Sequence, residues 1–176
     1  MSNNQYKILV TGVAGFLGSH LSEQLSGLGH KVIGIDNMIG GYKDNIPNGV
    51  EFHNIDCCDF EKIKGIMKGV QIVYHCAATA HEGLSVFSPY EITKNNYLAS
   101  VSIFSAAVNE KVKRIIFCSS MARYGSQEYP FIETMKPKPV DPYAISKVAA
   151  EQVLINLCEL NKIEWVIAVP HNIIGP

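Results

Sequence analysis

Apolar positions along the chain fall into two alternating kinds of run. Short β-rich stretches occur at Tyr6–Thr11, Lys31–Ile35, Val50–Ile55, Ile72–Cys76, Arg114–Cys118 and Trp165–Val169. Longer stretches with helical spacing lie near Phe16–Leu28, Phe60–Met67, Pro89–Glu110 and Tyr143–Asn161. In the last of these, Ala150, Val153, Leu154 and Leu157 share one helix face. Two strand candidates, KILV and RIIFC, are apolar without a break, as expected of strands covered on both faces. Strands that alternate with helices in this way predict βαβ units. The expected fold is α/β, a doubly wound parallel sheet of the Rossmann type in the order 3-2-1-4-5-6, forming one domain over residues 1–176. The long irregular segments, Asn37–Gly49 and Tyr129–Pro142, are of the length that usually serves function.

Composition narrows the class. The 176 residues are 47% hydrophobic and 18% charged with a net charge of −1, a globular profile with no basic footprint for nucleic acid. No apolar run approaches the roughly 20 residues that cross a bilayer, so no membrane partner is expected. The opening MSNNQYK has no leader-like core, and a cytoplasmic location is the expectation. Cys57, Cys58, Cys76, Cys118 and Cys158 show neither metal-ligand spacing nor disulfide-scaffold density. They are read as reduced thiols, with Cys76 and Cys118 inside apolar strands, and no metal site is expected.

The first strand runs directly into TGVAGFLGSH, which sets Gly12, Gly15 and Gly18 between strand and helix. Glycines there allow a tight turn and let backbone N–H groups approach a pyrophosphate at the helix N-terminus. The spacing is GxxGxxG, one residue wider than the commoner dinucleotide fingerprint. Asp36 ends the second strand about 20 residues further on, where a carboxylate accepts hydrogen bonds from ribose hydroxyls. Its charge would repel the extra phosphate of NADP, and no Arg or Lys lies beside it. NAD is therefore the expected cofactor.

These features, with IDN at Asp36, IDCCD at Asp56, HCAA at 75–78, NNYLAS at 95–100, FCSSMARYG at 117–125, YAISK at 143–147 and PHNIIGP at the end, form an ordered set. The set resembles the NAD-dependent epimerase/dehydratase family, the extended branch of the short-chain dehydrogenase/reductases. The resemblance implies cofactor contacts at Gly12, Gly15, Phe16, Leu17 and Gly18, at Asp36 and Asn37, and at Asp56 and Cys57 beside adenine. It implies further contacts at Ala77 and Ala78, at Asn96 in the helix, at Tyr143 and Lys147, and at Pro170. It places Asn172, His81 and Ser120 toward a nucleotide-diphosphate sugar, and it implies a homodimer.

Tyr143 and Lys147 stand four residues apart and share a helix face. A nearby ammonium favours phenolate and lowers the tyrosine pKa, with help from a cationic nicotinamide ring. The resemblance makes Tyr143 the general acid/base, Lys147 its electrostatic partner and nicotinamide-ribose ligand, and Ser120 the hydroxyl that orients the reacting sugar oxygen. Dehydratases of the family carry acids after the fifth strand. Here Ser120 is followed by Met121 and Ala122, neither of which exchanges a proton. A nucleotide-sugar epimerase is thus the leading expectation, against an NAD-dependent nucleotide-sugar reductase or dehydrogenase and against a non-catalytic NAD-binding module. Arg123 is expected to project into water, with a phosphate or Glu133 as alternatives. His81 and Glu82 lie either on a solvated loop or against substrate, His171 is expected to pack on the cofactor, and His75 is expected in the strand core. Relatives of this kind continue past the IIGP end into sugar-binding sequence, and the chain is expected to be the N-terminal part of a longer enzyme.

Overall fold

The computed structural model describes residues 5–175. The first four residues of the opening MSNNQYK and the final proline of PHNIIGP lie outside them. Six parallel strands run β1 (Lys7–Thr11), β2 (Lys31–Asp36), β3 (Glu51–Asn54), β4 (Ile72–His75), β5 (Arg114–Cys118) and β6 (Glu164–Ala168). They form one sheet in the order β3-β2-β1-β4-β5-β6, as the alternating pattern predicted. Every pairing is parallel, so each connection crosses over the sheet.

The pleat sorts the apolar residues between two layers. Ile8, Val10 and Val32 face Leu25 of α1 (Phe16–Gly27). Leu9, Ile33 and Ile35 face the other way, toward Ile63 and Met67 of α2 (Phe60–Met67). That second layer continues through α4 (Ala99–Asn109) and α5 (Pro142–Asn161), which contribute Phe104, Ala107, Leu154 and Cys158. Capping fixes where these helices begin. Asp59 accepts from Lys62 N at 3.3 Å, and Asp141 accepts from Ala144 N at 2.9 Å, with Pro142 supplying a preset φ in the first turn of α5. α1 starts on Gly15 with no side-chain cap, which leaves its first N–H groups available.

Two expectations need correction. The single helix read over Pro89–Glu110 is three pieces: α3 (Pro89–Ile92), a π-helical turn (Thr93–Leu98) and α4. A π turn holds one extra residue, so positions after it no longer follow the 3.6-residue spacing. Cys76 lies just past β4 rather than inside it, because the chain there leaves the sheet to bond Thr11. Among the described residues, no helix is long and apolar enough to cross a membrane.

Candidate functional site

The strand order reverses between β1 and β4, and connections leave these two strands in opposite directions. A crevice opens there at the carboxyl ends of the strands, as the topology requires. It has a volume of about 570 Å³ and receives residues from the ends of β2 and β5, from the loops that follow β1, β4 and β6, and from α1 and α5.

At one end the walls are backbone. Gly12 has φ +72° and donates its N–H to Ile35 O at 2.8 Å. A Cβ at Gly12 would lie 2.9 Å from the Ala77 backbone, and one at Gly18 would lie 2.1 Å from Gly12 O. The loop is therefore closed to side chains and open to a ligand. Asp36 anchors it: one carboxylate oxygen accepts from Ala14 N at 3.0 Å and the other from Met38 N at 2.8 Å. Each oxygen keeps a lone pair for a hydroxyl donor. Asn37 donates to Asp56 at 3.1 Å, tying the second strand's end to the third's. Burial works to raise the Asp56 pKa, but hydrogen bonds from Cys58 and Asn37 outweigh it and hold the carboxyl below its usual range. Ile39, Gly40 and Gly41 complete this end, held by Tyr42 N and Asn45 Nδ2 on the Ala14 carbonyl. In sequence they were legible only as part of a long irregular segment.

The floor is a chain of buried polar groups. Thr11 Oγ1 accepts from Cys76 N and Ala77 N at 3.1 and 3.0 Å. Both lone pairs are then used, so its proton goes to His75 Nδ1 at 2.7 Å. His75 must carry its own proton on Nε2, which faces Ser100 Oγ at 2.9 Å, and Ser100 donates to Asn96 O. His75 is a fully buried core residue, as expected, with its ring stacked on Phe117. Burial, then the charge of Lys147, pushes its pKa down to about 3. Asn96 does not line the crevice. Its side chain clasps Thr79, accepting from N at 2.7 Å and donating to O at 3.3 Å. Asn95 lines the crevice instead. Both asparagines of the π turn thus hold Thr79, Asn95 donating to its Oγ1 at 3.2 Å, but only Asn95 reaches the crevice wall.

At the other end stand Tyr143, Lys147 and Ser120. The first turns of α5 carry Tyr143 and Lys147, both buried. Lys147 Nζ donates to Cys118 O at 2.9 Å and lies 5.0 Å from the Phe117 ring centroid and 5.9 Å from that of Tyr143. It is the only lysine or arginine among the described residues that line the crevice. Burial lowers its pKa against the pull of Cys118, Cys76 and Glu151. Burial raises the Tyr143 pKa, with the Ser120 hydroxyl opposing and Cys118, Glu82 and Asp141 adding to the rise. Loss of water outweighs the Ser120 hydrogen bond, so the lowering expected of the phenol pKa is not met. Ser120 caps the turn Met121–Tyr124 by accepting from Ala122 N at 3.2 Å.

The other predicted residues that line the crevice are Gly15, Phe16, Leu17, Cys57, Ala78, His81, Pro170 and Asn172. Glu82 and His171 line it as well, with His81 and Glu82 exposed to water at its rim. Arg123 departs from expectation. It faces neither water nor Glu133, but pairs with buried Glu151 at 3.2 Å. A solvent projection would have been the ordinary fate of an arginine. The carboxylate that captures it lies on α5, far along the chain.

A Rossmann sheet with a glycine loop, a strand-end carboxylate and a helical Tyr–Lys pair in one crevice defines a dinucleotide-binding short-chain dehydrogenase/reductase domain. Residues 8–176 match the NAD dependent epimerase/dehydratase family, and the chain belongs to that family. NAD is the cofactor of the family, and the side-chain-free glycine cradle beside Asp36 suits it. The chain is 31% identical over 152 residues to UDP-glucose 4-epimerase of Streptomyces lividans, covering 84% of itself and 46% of that protein. It superposes on UDP-glucose 4-epimerase from Brucella ovis in complex with NAD with a TM-score of 0.90 at 29% identity, covering 95% of this chain and 52% of that one. A dTDP-glucose 4,6-dehydratase from Streptomyces venezuelae, solved with NAD and TYD bound, has a TM-score of 0.87 at 26% identity over 93% of this chain and 55% of its own. The chain spans about half the length of the curated relatives it matches.

Proposed function

We propose that this chain is the cofactor-binding and proton-transfer part of an NAD-dependent nucleotide-sugar epimerase. The observation that carries the reading is the single crevice that joins the glycine loop and Asp36 to Tyr143, Lys147 and Ser120. NAD held along the glycine loop and Asp36 would supply a reversible hydride acceptor. The protein's own task is the matching proton. Tyr143 takes it from the sugar hydroxyl as that carbon becomes a ketone, and gives it back after the sugar presents its other face. Lys147, fixed by the Cys118 carbonyl, is the cation that favours phenolate, and Ser120 orients the sugar oxygen. Asn172 and His81 approach the nucleotide sugar from the crevice rim. Met121 and Ala122 offer no acid for water elimination, which favours epimerisation over the dehydratase branch. A homodimer is supported by the exposure of Leu98 and Ile145 on the neighbouring π turn and α5.

The test uses protein expressed from the native gene to its own stop codon, given a panel of UDP-, GDP- and dTDP-sugars. Proton NMR should show an epimer without net accumulation of reduced nicotinamide. Stoichiometric reduced cofactor would instead identify a dehydrogenase and overturn the epimerase reading.

A further inference from the structure

Arg123 and Glu151 lie behind the proton-transfer site. Glu151 is one helical turn beyond Lys147 on α5 and only 1% exposed. One carboxylate oxygen accepts a short hydrogen bond from Ser119 Oγ, and the other lies 3.2 Å from Arg123 Nη2. Arg123 belongs to the turn that Ser120 caps, and its Nε is buried without a partner. Glu151 has no water to fall back on and depends on Arg123, whose side chain is itself only 15% exposed. The result is an alternation of buried charge, Lys147 to Glu151 to Arg123, in which one carboxylate serves two cations.

The surroundings leave Glu151 no other support. It faces Ser119, Arg123 and Lys147, and burial drives its pKa upward against all three. Lys147 faces the Cys118 carbonyl and thiol and the Phe117 ring from β5, Cys76 and His75 from the end of β4, and Tyr143 and Glu151 from its own helix. Glu151 is the one carboxylate in that set.

We propose that Arg123 is a positioning residue for the Tyr143–Lys147 pair. Its ion pair keeps Glu151 charged, and charged Glu151 holds Ser119 against α5 beside Ser120 and balances the buried Lys147. The inference rests on the reading of that pair as the proton-transfer site.

The test is a ¹³Cε-lysine NMR titration of this chain, with the Lys147 resonance assigned by its loss in Lys147→Met. In Arg123→Met the stranded carboxylate should take up a proton. Lys147 then loses its anion and titrates at lower pH than in the parent. Glu151→Gln should lower it equally, the double variant should lower it no further, and Arg123→Lys should restore the parent value. Should Arg123→Met not fold, Arg123→Gln keeps bulk and a donor and must show the same shift. A Lys147 titration that is unchanged or moved to higher pH overturns the proposal, because Glu151 would then keep its charge without Arg123. The titration needs no sugar, so absent turnover leaves it standing, and an unmoved titration leaves the epimerase reading standing.

Discussion

The two ends of the crevice are built from different material. At the glycine-loop end the backbone does the work: Gly12 and Gly18 clear the space, and Asp36 and Asp56 accept from the N–H groups of Ala14, Met38 and Cys58. Most of it comes from one βαβ unit. At the catalytic end buried side chains do the work, and Thr11, His75, Asn96, Lys147 and Glu151 are all 3% exposed or less. They come from four separate stretches of chain. On the proposed reading, the difference makes cofactor recognition a local property, while proton transfer depends on long-range assembly. Substitutions should therefore separate the two.

The largest separation is expected at Tyr143. Tyr143→Phe keeps the packed ring and removes the titrating hydroxyl, so turnover by the protein expressed to its own stop codon should fall about 10²–10⁴-fold. NAD affinity should be nearly unchanged. Lys147→Met should weaken both, because it serves both. Steady-state rates and cofactor titrations check the pair. A loss smaller than that range for Tyr143→Phe would assign the proton to another group.

Acid should strike the catalytic end next. His75 is neutral in the fold, with its pKa pushed down to about 3, whereas an unfolded imidazole takes up a proton below about 6.5. The unfolded state thus binds more protons between these values, and stability must rise with pH across that window. Full stability is present above about 6.5 and is lost as pH falls toward 3, by an amount on the order of several kcal/mol. Denaturant unfolding at a series of pH values measures the slope. His75→Gln should flatten it, and an unchanged slope would show that His75 is not the group responsible.

A smaller effect divides neighbours. Asn96→Ala breaks two hydrogen bonds to Thr79 and should cost about 1–3 kcal/mol of stability. Asn95→Ala loses one hydrogen bond, from its Nδ2 to Thr79 Oγ1 at 3.2 Å, so it should cost less stability and instead weaken NAD binding. Thermal unfolding and cofactor titration of both variants make the comparison, and a reversed pattern would mean that the π turn presents the other asparagine.

This contrast also explains what could be read from the chain. Strand order, the glycine loop and Asp36 were legible because each is encoded within a few residues or by simple alternation. Tyr143, Lys147 and Ser120 were legible as a spaced set, and the crevice does bring them together. Asn96 was assigned to the cofactor by family resemblance, whereas its side chain is spent on the Thr79 backbone and Asn95 of the same π turn lines the crevice. Arg123 was turned to solvent because its partner, Glu151, joins it only through tertiary packing. The raised pKa of Tyr143 was hidden for the same reason, since burial is a property of the assembled site.

Calorimetric titration of this chain with NAD and NADP tests most directly whether recognition and chemistry occupy separate ends. Asp36 presents a buried carboxylate where the adenosine ribose should sit, with no lysine or arginine among the described residues that line that end. The parent and Tyr143→Phe should both bind NAD in preference to NADP, and Asp36→Ala should narrow the difference. Equal or tighter NADP binding by the parent, or loss of NAD binding in Tyr143→Phe, would contradict the account.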